Sequence, residues 1–560
     1  MKPRKMVLAA VSMGTLALTV WRVSYGKTLY ESGRDLAALV VVARGGDEAP
    51  SFFSSTREAT APKEGKEVLM VSNEYERRTK RSIGEGLMPL SGSVLVDVWQ
   101  RTRHEVSTGE AFRWSARKEG ASEALVVGEG SVFEVEYPAP GRYVVEAVTE
   151  DAEILSFSVT AKRVRRELRS LSVEERERYL DAMQVLYATD DDEGKRLYGP
   201  DFQSMNALVI MHLLGAADRD CDHYHDDAGF LNHHVGITWA FEKALVAVDP
   251  RVAAHYWDYT LDANILGKDW RESFVFDDNW FGPANPANDD HIVDRGRWAY
   301  TEIPKNTSAK FRNAYGLLRS PWNTNKTPYL TRSSYTLNQS TFDTFPECQA
   351  FESALFTNTW IGTTYDQLNG GLHGPVHIMV GGYWGLEAVG DNNAVAILLF
   401  AKFLWRLGYL RCPTFCAQDA PQSDCRCECP TSLRKGRSAF EVLNVTGGLH
   451  FLSATNVSYD LLLDTVCSVG FPGELFTSAA PQDPIFWPIH GEFAFSVVIR
   501  SSHNVGRSSV YCRQRRTIYP VCPRSQSERS HQLLGEMGLR PQPRTRLGHR
   551  HRLRLVQSRR

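Results

Sequence analysis

From residue 27 to residue 88, apolar and polar positions mix without a sustained period, as in Ser54-Ser55-Thr56-Arg57-Glu58. Such a stretch buries too little apolar surface to offset the entropy of ordering it, and it predicts a linker. The pattern then changes to short alternating runs, among them Val94 to Trp99, Val132 to Tyr137, Tyr143 to Val148 and Ile154 to Val159, punctuated by Pro138-Ala139-Pro140-Gly141. A period of two broken by turns predicts a small antiparallel β-sandwich of immunoglobulin-like character over residues 89–162. No cluster of titratable residues in that segment suggests chemistry, so its expected role is structural or adhesive.

The period lengthens after Val164. Ser172 stands before Glu174 and Glu175 and a run of helix formers, the signature of an N-cap followed by early acids. Ala207 to Leu214 is an apolar helical stretch that carries His212, while Phe281 to Asn288 and Tyr300 to Phe345 are long segments rich in loop-forming residues. Helical stretches joined by such connections predict a mainly α helical bundle with long loops over residues 163–505. The arginine-rich segment 506–560, almost without acids, predicts a solvated, disordered tail. A chain of 560 residues exceeds what one hydrophobic core usually serves, so a multidomain protein is expected.

A net charge of -2 offers no electrostatic reason for a nucleic-acid or membrane-surface partner. The first residues are more informative. Lys2, Arg4 and Lys5 precede an apolar run from Met6 to Val20, which predicts a signal peptide or an uncleaved anchor over residues 1–26. Sequons at Asn306, Asn325, Asn338, Asn444 and Asn456 agree with secretion or another extracytoplasmic location and with a glycoprotein. The crowded Cys412, Cys416, Cys425, Cys427 and Cys429 are expected to form disulfides there, with a zinc knuckle as the alternative.

Histidine is where the chemistry concentrates. Of 16 in the chain, four fall between His223 and His234, and His373 and His377 are spaced to share one helix face. Pro375 between that pair requires the α-helix to begin near it. Further on, Asp483-Pro484 opens a turn that leads through Phe486 and Trp487 to His490. Singly, each of these is also what a satisfied core histidine looks like.

Together, the upstream histidine, the His225 to His234 spacing, the His373 to His377 pair and Asp483-Pro484-Ile485-Phe486 before His490 resemble the tyrosinase copper-binding family. Tyr256-Trp257-Asp258, Phe241-Glu242 and Gly381-Gly382 add to the likeness, which spans roughly residues 164 to 500. The resemblance implies a tyrosinase-type domain with two copper ions, the first bound by His212, His225 and His234 and the second by His373, His377 and His490. His223 and His233 are the spare histidines that could replace a neighbour.

The resemblance further implies dioxygen as co-substrate and phenol oxidation: a catechol oxidase acting on o-diphenols, or a monophenol monooxygenase acting on a small phenol or a protein tyrosine. A reversible oxygen carrier of the hemocyanin type and a copperless scaffold are the alternatives, and no specific protein partner is implied. Asp226, Asp227 and Asp483 are candidate acceptors orienting the imidazoles, or else helix caps and a turn residue. Phe486 is a candidate substrate gate above the second copper, or core. Two departures stand out: Ile489-His490 where many relatives have paired histidines, and Gly374 where relatives that deprotonate monophenols often carry Asn or Asp. The second favours diphenols.

Overall fold

The computed structural model describes residues 67–79, 94–216, 224–225, 229–303, 324–336, 343–355, 362–385, 401, 403–413, 416–417, 419–446, 449, 458–467 and 470–491. The expected signal peptide or anchor, the arginine-rich tail, Asp226 and Asp227 lie outside the described residues, as do His223 and the sequons at Asn306, Asn338 and Asn456.

Two sheets face each other over the first core. Strands β1 (Leu69–Ser72), β3 (Thr102–Val106) and β6 (Phe133–Val135) form one of them. The other runs β2 (Val94–Asp97), β8 (Ile154–Lys162), β7 (Gly141–Val148), β4 (Phe112–Lys118) and β5 (Val126–Gly130). Alternation along β7 buries Tyr143, Val145 and Ala147 and leaves the residues between them toward solvent. Between the sheets, Trp114 stacks on Phe133 at 5.5 Å and Tyr137 meets Tyr143 edge-on at 4.8 Å. The Tyr143 hydroxyl donates to the carbonyl of Ala139 at 2.8 Å, tying a strand start to the preceding turn.

Two expectations are corrected here. The sheet is mixed, because β2 pairs in parallel with β8. The linker also ends earlier than residue 88: Leu69–Ser72 is a strand and Glu74–Thr79 forms helix α1. A four-residue strand has no legible period of its own. It exists because β3 supplies its hydrogen-bonding edge and Leu69 reaches the core.

The remainder is mainly helical, with one short antiparallel pair between Tyr383–Trp384 and Phe471–Pro472. Helix α2 (Val173–Ala188) starts on a capping box in which Ser172 accepts from the amide of Glu175 and the Glu175 carboxylate accepts from the amide of Ser172. It packs with α4 (Met205–Ala216) and α5 (Gly229–Val248), which follow the short α3 (Asp191–Tyr198). Downstream come α6 (Tyr259–Leu266), α7 (Cys348–Leu355), a π-helical stretch (Gly362–His373) running into α8 (Gly374–Gly381), then α9 (Ala439–Val445) and α10 (Tyr459–Cys467). As Pro375 requires, the α-helix begins beside it, with the proline in its first turn. Among the described residues, no helix is long and apolar enough to cross a membrane.

Disulfides join Cys412 to Cys427, Cys416 to Cys425 and Cys429 to Cys467. They engage all five crowded cysteines, which removes the zinc-knuckle alternative and fits an oxidising, extracytoplasmic environment. The sequon at Asn325 is buried, its amide within reach of Thr331 and its carbonyl accepting from Thr327, so this asparagine is a turn residue and is closed to a glycan. Asn444, on α9, is exposed.

Candidate metal centre

Most of the proposed ligands arrive on helices whose other faces are core. Helix α4 is apolar on nearly every side, so burying it carries His212 inside. Helix α5 buries His234 along with Phe230, Ile237 and Phe241. The π-helical stretch ends on His373, and α8 brings His377 one turn later. His490 closes the helical turn that starts at Phe486. That turn is seated by Trp487, whose ring stacks on Phe241 at 4.1 Å, and by the amide of Trp257, which donates to the Pro488 carbonyl at 3.0 Å.

Folding assembles the six histidines into the two expected triads. His212, His225 and His234 bring their ring nitrogens within 4.8 Å of one another, and so do His373, His377 and His490. The triads share a wall: the rings of His234 and His490 stack at 4.7 Å with an interplanar angle of 8°. His233 lies outside both triads, stacked on Tyr224 at 4.6 Å.

The ring orientations are set by main-chain carbonyls. Nδ1 of His212 faces the Ser478 oxygen at 2.8 Å, that of His234 the Phe230 oxygen at 2.7 Å, and that of His377 the Leu475 oxygen at 2.7 Å. A carbonyl can only accept, so in each ring Nδ1 carries the proton and Nε2 keeps its lone pair. The Nε2 atoms of His234 and His377, one in each triad, are buried without a hydrogen-bond partner among the described residues. An unsatisfied buried acceptor is costly, and a metal ion would satisfy it.

Burial, with repulsion from the neighbouring imidazoles added, pushes His234, His373 and His490 well below the usual histidine range. His377 is lowered to about 4, chiefly by burial and against the Leu475 carbonyl, which favours the charged form. Neutral imidazoles are the form that binds metal. A donor set of nitrogen alone disfavours magnesium and calcium, and it lacks the thiolate of a blue-copper site; copper in either oxidation state suits it.

Two expectations about the surroundings fail. Asp483 orients no imidazole through an observed bond: it forms a fully buried two-pronged ion pair with Arg332, at 2.7 and 2.6 Å, and accepts from the amide of Ile485. Its role is to cap the turn that carries His490, and the orienting acceptors seen here are main-chain oxygens instead. Phe486 is no gate. Its ring is fully buried, 3.9 Å from that of His490, 5.7 Å from His212 and 5.9 Å from His377. A ring without exposed surface that touches both triads is a packing wall between them.

The Trp-Asp signature is likewise structural: the Trp257 indole donates to Asp262 at 2.6 Å, and Asp258 caps α6. Glu242 forms a two-pronged pair with Arg165. Arg332 and the three carbonyls escaped sequence reasoning. An arginine in a loop and a peptide oxygen leave no pattern that could have marked them.

Residues 203–398 match the family model described as the common central domain of tyrosinase. No curated protein gives a match to the chain. The matched stretch includes five of the six triad histidines, and the sixth, His490, is brought to His373 by the fold, at 4.4 Å between ring centres. Residues 203–398 are therefore similar to the central domain of tyrosinase, and the two histidine triads fit a binuclear copper site.

Proposed function

We propose that the paired triads hold two copper ions and that the protein is a secreted phenol oxidase that converts o-diphenols to o-quinones with dioxygen. The observation that carries this reading is the common wall of the two triads, which would let both ions act on one small molecule. Copper held there supplies two one-electron redox centres that react with dioxygen. Two catechols each give up two protons and two electrons, and the four electrons and four protons reduce one dioxygen to two waters.

The protein's own contribution is positional. Carbonyls of Ser478, Phe230 and Leu475 fix three rings, burial keeps His234, His373, His377 and His490 neutral, and the buried Phe486 ring packs against His490, His212 and His377. Gly374, directly after His373, offers no amide or carboxylate to hold a water that could deprotonate a monophenol. Small phenols and protein tyrosines are accordingly the slower substrates.

Oxygen uptake by the copper-loaded full chain tests the reading. Catechol turnover should consume one dioxygen per two quinones and exceed tyrosine turnover. Equal or faster tyrosine oxidation without a catechol primer would overturn the diphenol preference. Reversible oxygen binding without turnover would make the protein a carrier of the hemocyanin type, and two coppers with neither behaviour would leave a scaffold.

A further inference from the structure

Five of the six triad histidines ride on helical residues, whereas His225 sits in a turn with Tyr224 and is only half-buried. A loop-borne ligand holds its place only if something outside the loop fixes it. The side-chain amide of Asn369 donates to the His225 carbonyl at 2.7 Å. Asn369 belongs to the π-helical stretch that ends on His373, so this hydrogen bond runs from the element of the second triad to the loop of the first.

On the other side of the turn, the Tyr224 ring occupies the space in which a side chain at position 215 would stand: a Cβ added to Gly215 would overlap it. That ring meets His212 edge-on at 5.1 Å and 89° and stacks on His233 at 4.6 Å and 19°. The wedge sets the turn against α4, and the Asn369 amide sets it against the second triad.

We propose that Asn369 is a positioning residue for the first metal: anchored beside the second triad, it fixes the His225 main chain and so determines how tightly the opposite triad holds its ion. Tyr224 supports the same turn by packing. The proposal rests on the reading that each triad binds an ion, and its test separates the two.

Copper affinity of the full chain is measured by chelator competition, without an activity assay, in two single-site backgrounds: His377→Ala, which leaves the first triad, and His212→Ala, which leaves the second. Asn369→Asp keeps the shape of the side chain but loses its donor. It should weaken copper binding about 10- to 100-fold in the first background, the usual effect of removing a group that orients a ligand, and leave it unchanged in the second. Tyr224→Leu should follow the same pattern, and Tyr224→Phe, which keeps the ring, should restore binding.

Equal losses in both backgrounds would assign Asn369 to general folding and overturn the proposal, as would no loss in either. If Asn369→Asp fails to fold by circular dichroism, Asn369→Ala and the Tyr224 pair decide by the same criterion. A parent chain that binds fewer than two coppers would instead defeat the functional reading itself.

Discussion

At the scale of single residues, the pairing of Arg332 with Asp483 carries weight out of proportion to its visibility. Both side chains are fully buried, and the guanidinium also donates to the carbonyls of Phe281 and Gly282. Removing one partner leaves a buried charge uncompensated, so Asp483→Ala should cost about 3–5 kcal/mol, read from urea unfolding. Replacing both with apolar residues of similar volume should cost less; equal losses would show that the pair is not coupled. Phe486→Ala should also cost about 3–5 kcal/mol, by opening a cavity behind three imidazoles. Because the ring has no exposed face, the ratio of activities toward bulky and small catechols should stay unchanged, and a shift in that ratio would return Phe486 to a gating role. The histidines were legible in the sequence through the resemblance of their joint pattern to a known copper-binding family, not through any one spacing. Arg332 was not, since its partner lies 151 residues away and no local pattern links them.

At the scale of elements, the end of α8 shows how the second triad is seated. Gly382 closes the helix, its amide donating to the Ile378 carbonyl at 2.8 Å, with φ at 73°, a conformation that side chains disfavour. A Cβ there would overlap the Ser333 carbonyl. The same corner holds the bond from Gly473 to the Gly382 carbonyl and, one turn back, His377 on Leu475. Gly382→Ala should therefore displace α8, lower the melting temperature and reduce copper from about two ions per chain toward one, since ligands on one helix face move together. Metal analysis on the folded fraction checks this, and a full complement of copper would show that the corner tolerates a shift. Sequence identified Gly381-Gly382 by resemblance, but only the approach of Ser333 explains it. The π-helical stretch was illegible because its winding departs from the 3.6-residue period by which helices are recognised.

At the scale of the whole molecule, the β-sandwich is bolted to the helical part rather than strung from it. Arg166 pairs with Asp97 of β2 and lies 3.8 Å over the Tyr75 ring, Gln100 donates to Glu175 of α2 at 2.7 Å, and Arg163 donates to the carbonyls of Pro250 and Val252. Two buried histidines outside the metal centre make this assembly sensitive to acid. His104, in the sandwich, faces the carbonyls of Thr102 and Phe133 through Nδ1 and the Tyr137 hydroxyl through Nε2, and burial lowers it to about 4. His255 accepts from the Arg166 amide, and burial, with the Arg166 charge beside it, lowers it to about 3. Each is neutral when folded and takes up a proton near pH 6.5 once unfolded, so the unfolded state binds more protons between the two values. The stability these two histidines contribute is fully present above about pH 6.5 and falls as the pH drops toward 4, by about 3 kcal/mol for His104 alone. His104→Gln should flatten the fall in unfolding free energy over that range, and an unaltered slope would show that His104 does not drive it.

What the sequence determined by itself was set locally or by chemistry: alternation for the strands of the sandwich, the Ser172 cap of α2, disulfides among crowded cysteines, and six histidines whose joint pattern, through its family resemblance, implied two metals. What only the tertiary structure decided was every relation that joins distant segments. The parallel pairing of β2 with β8, the strand at Leu69–Ser72, the carbonyls that orient the imidazoles, the Arg332 pair and the amide of Asn369 behind His225 all belong to this second group. The physical reason is that a side chain's periodicity records which face it buries, while a hydrogen bond to a peptide oxygen leaves no trace in residue type.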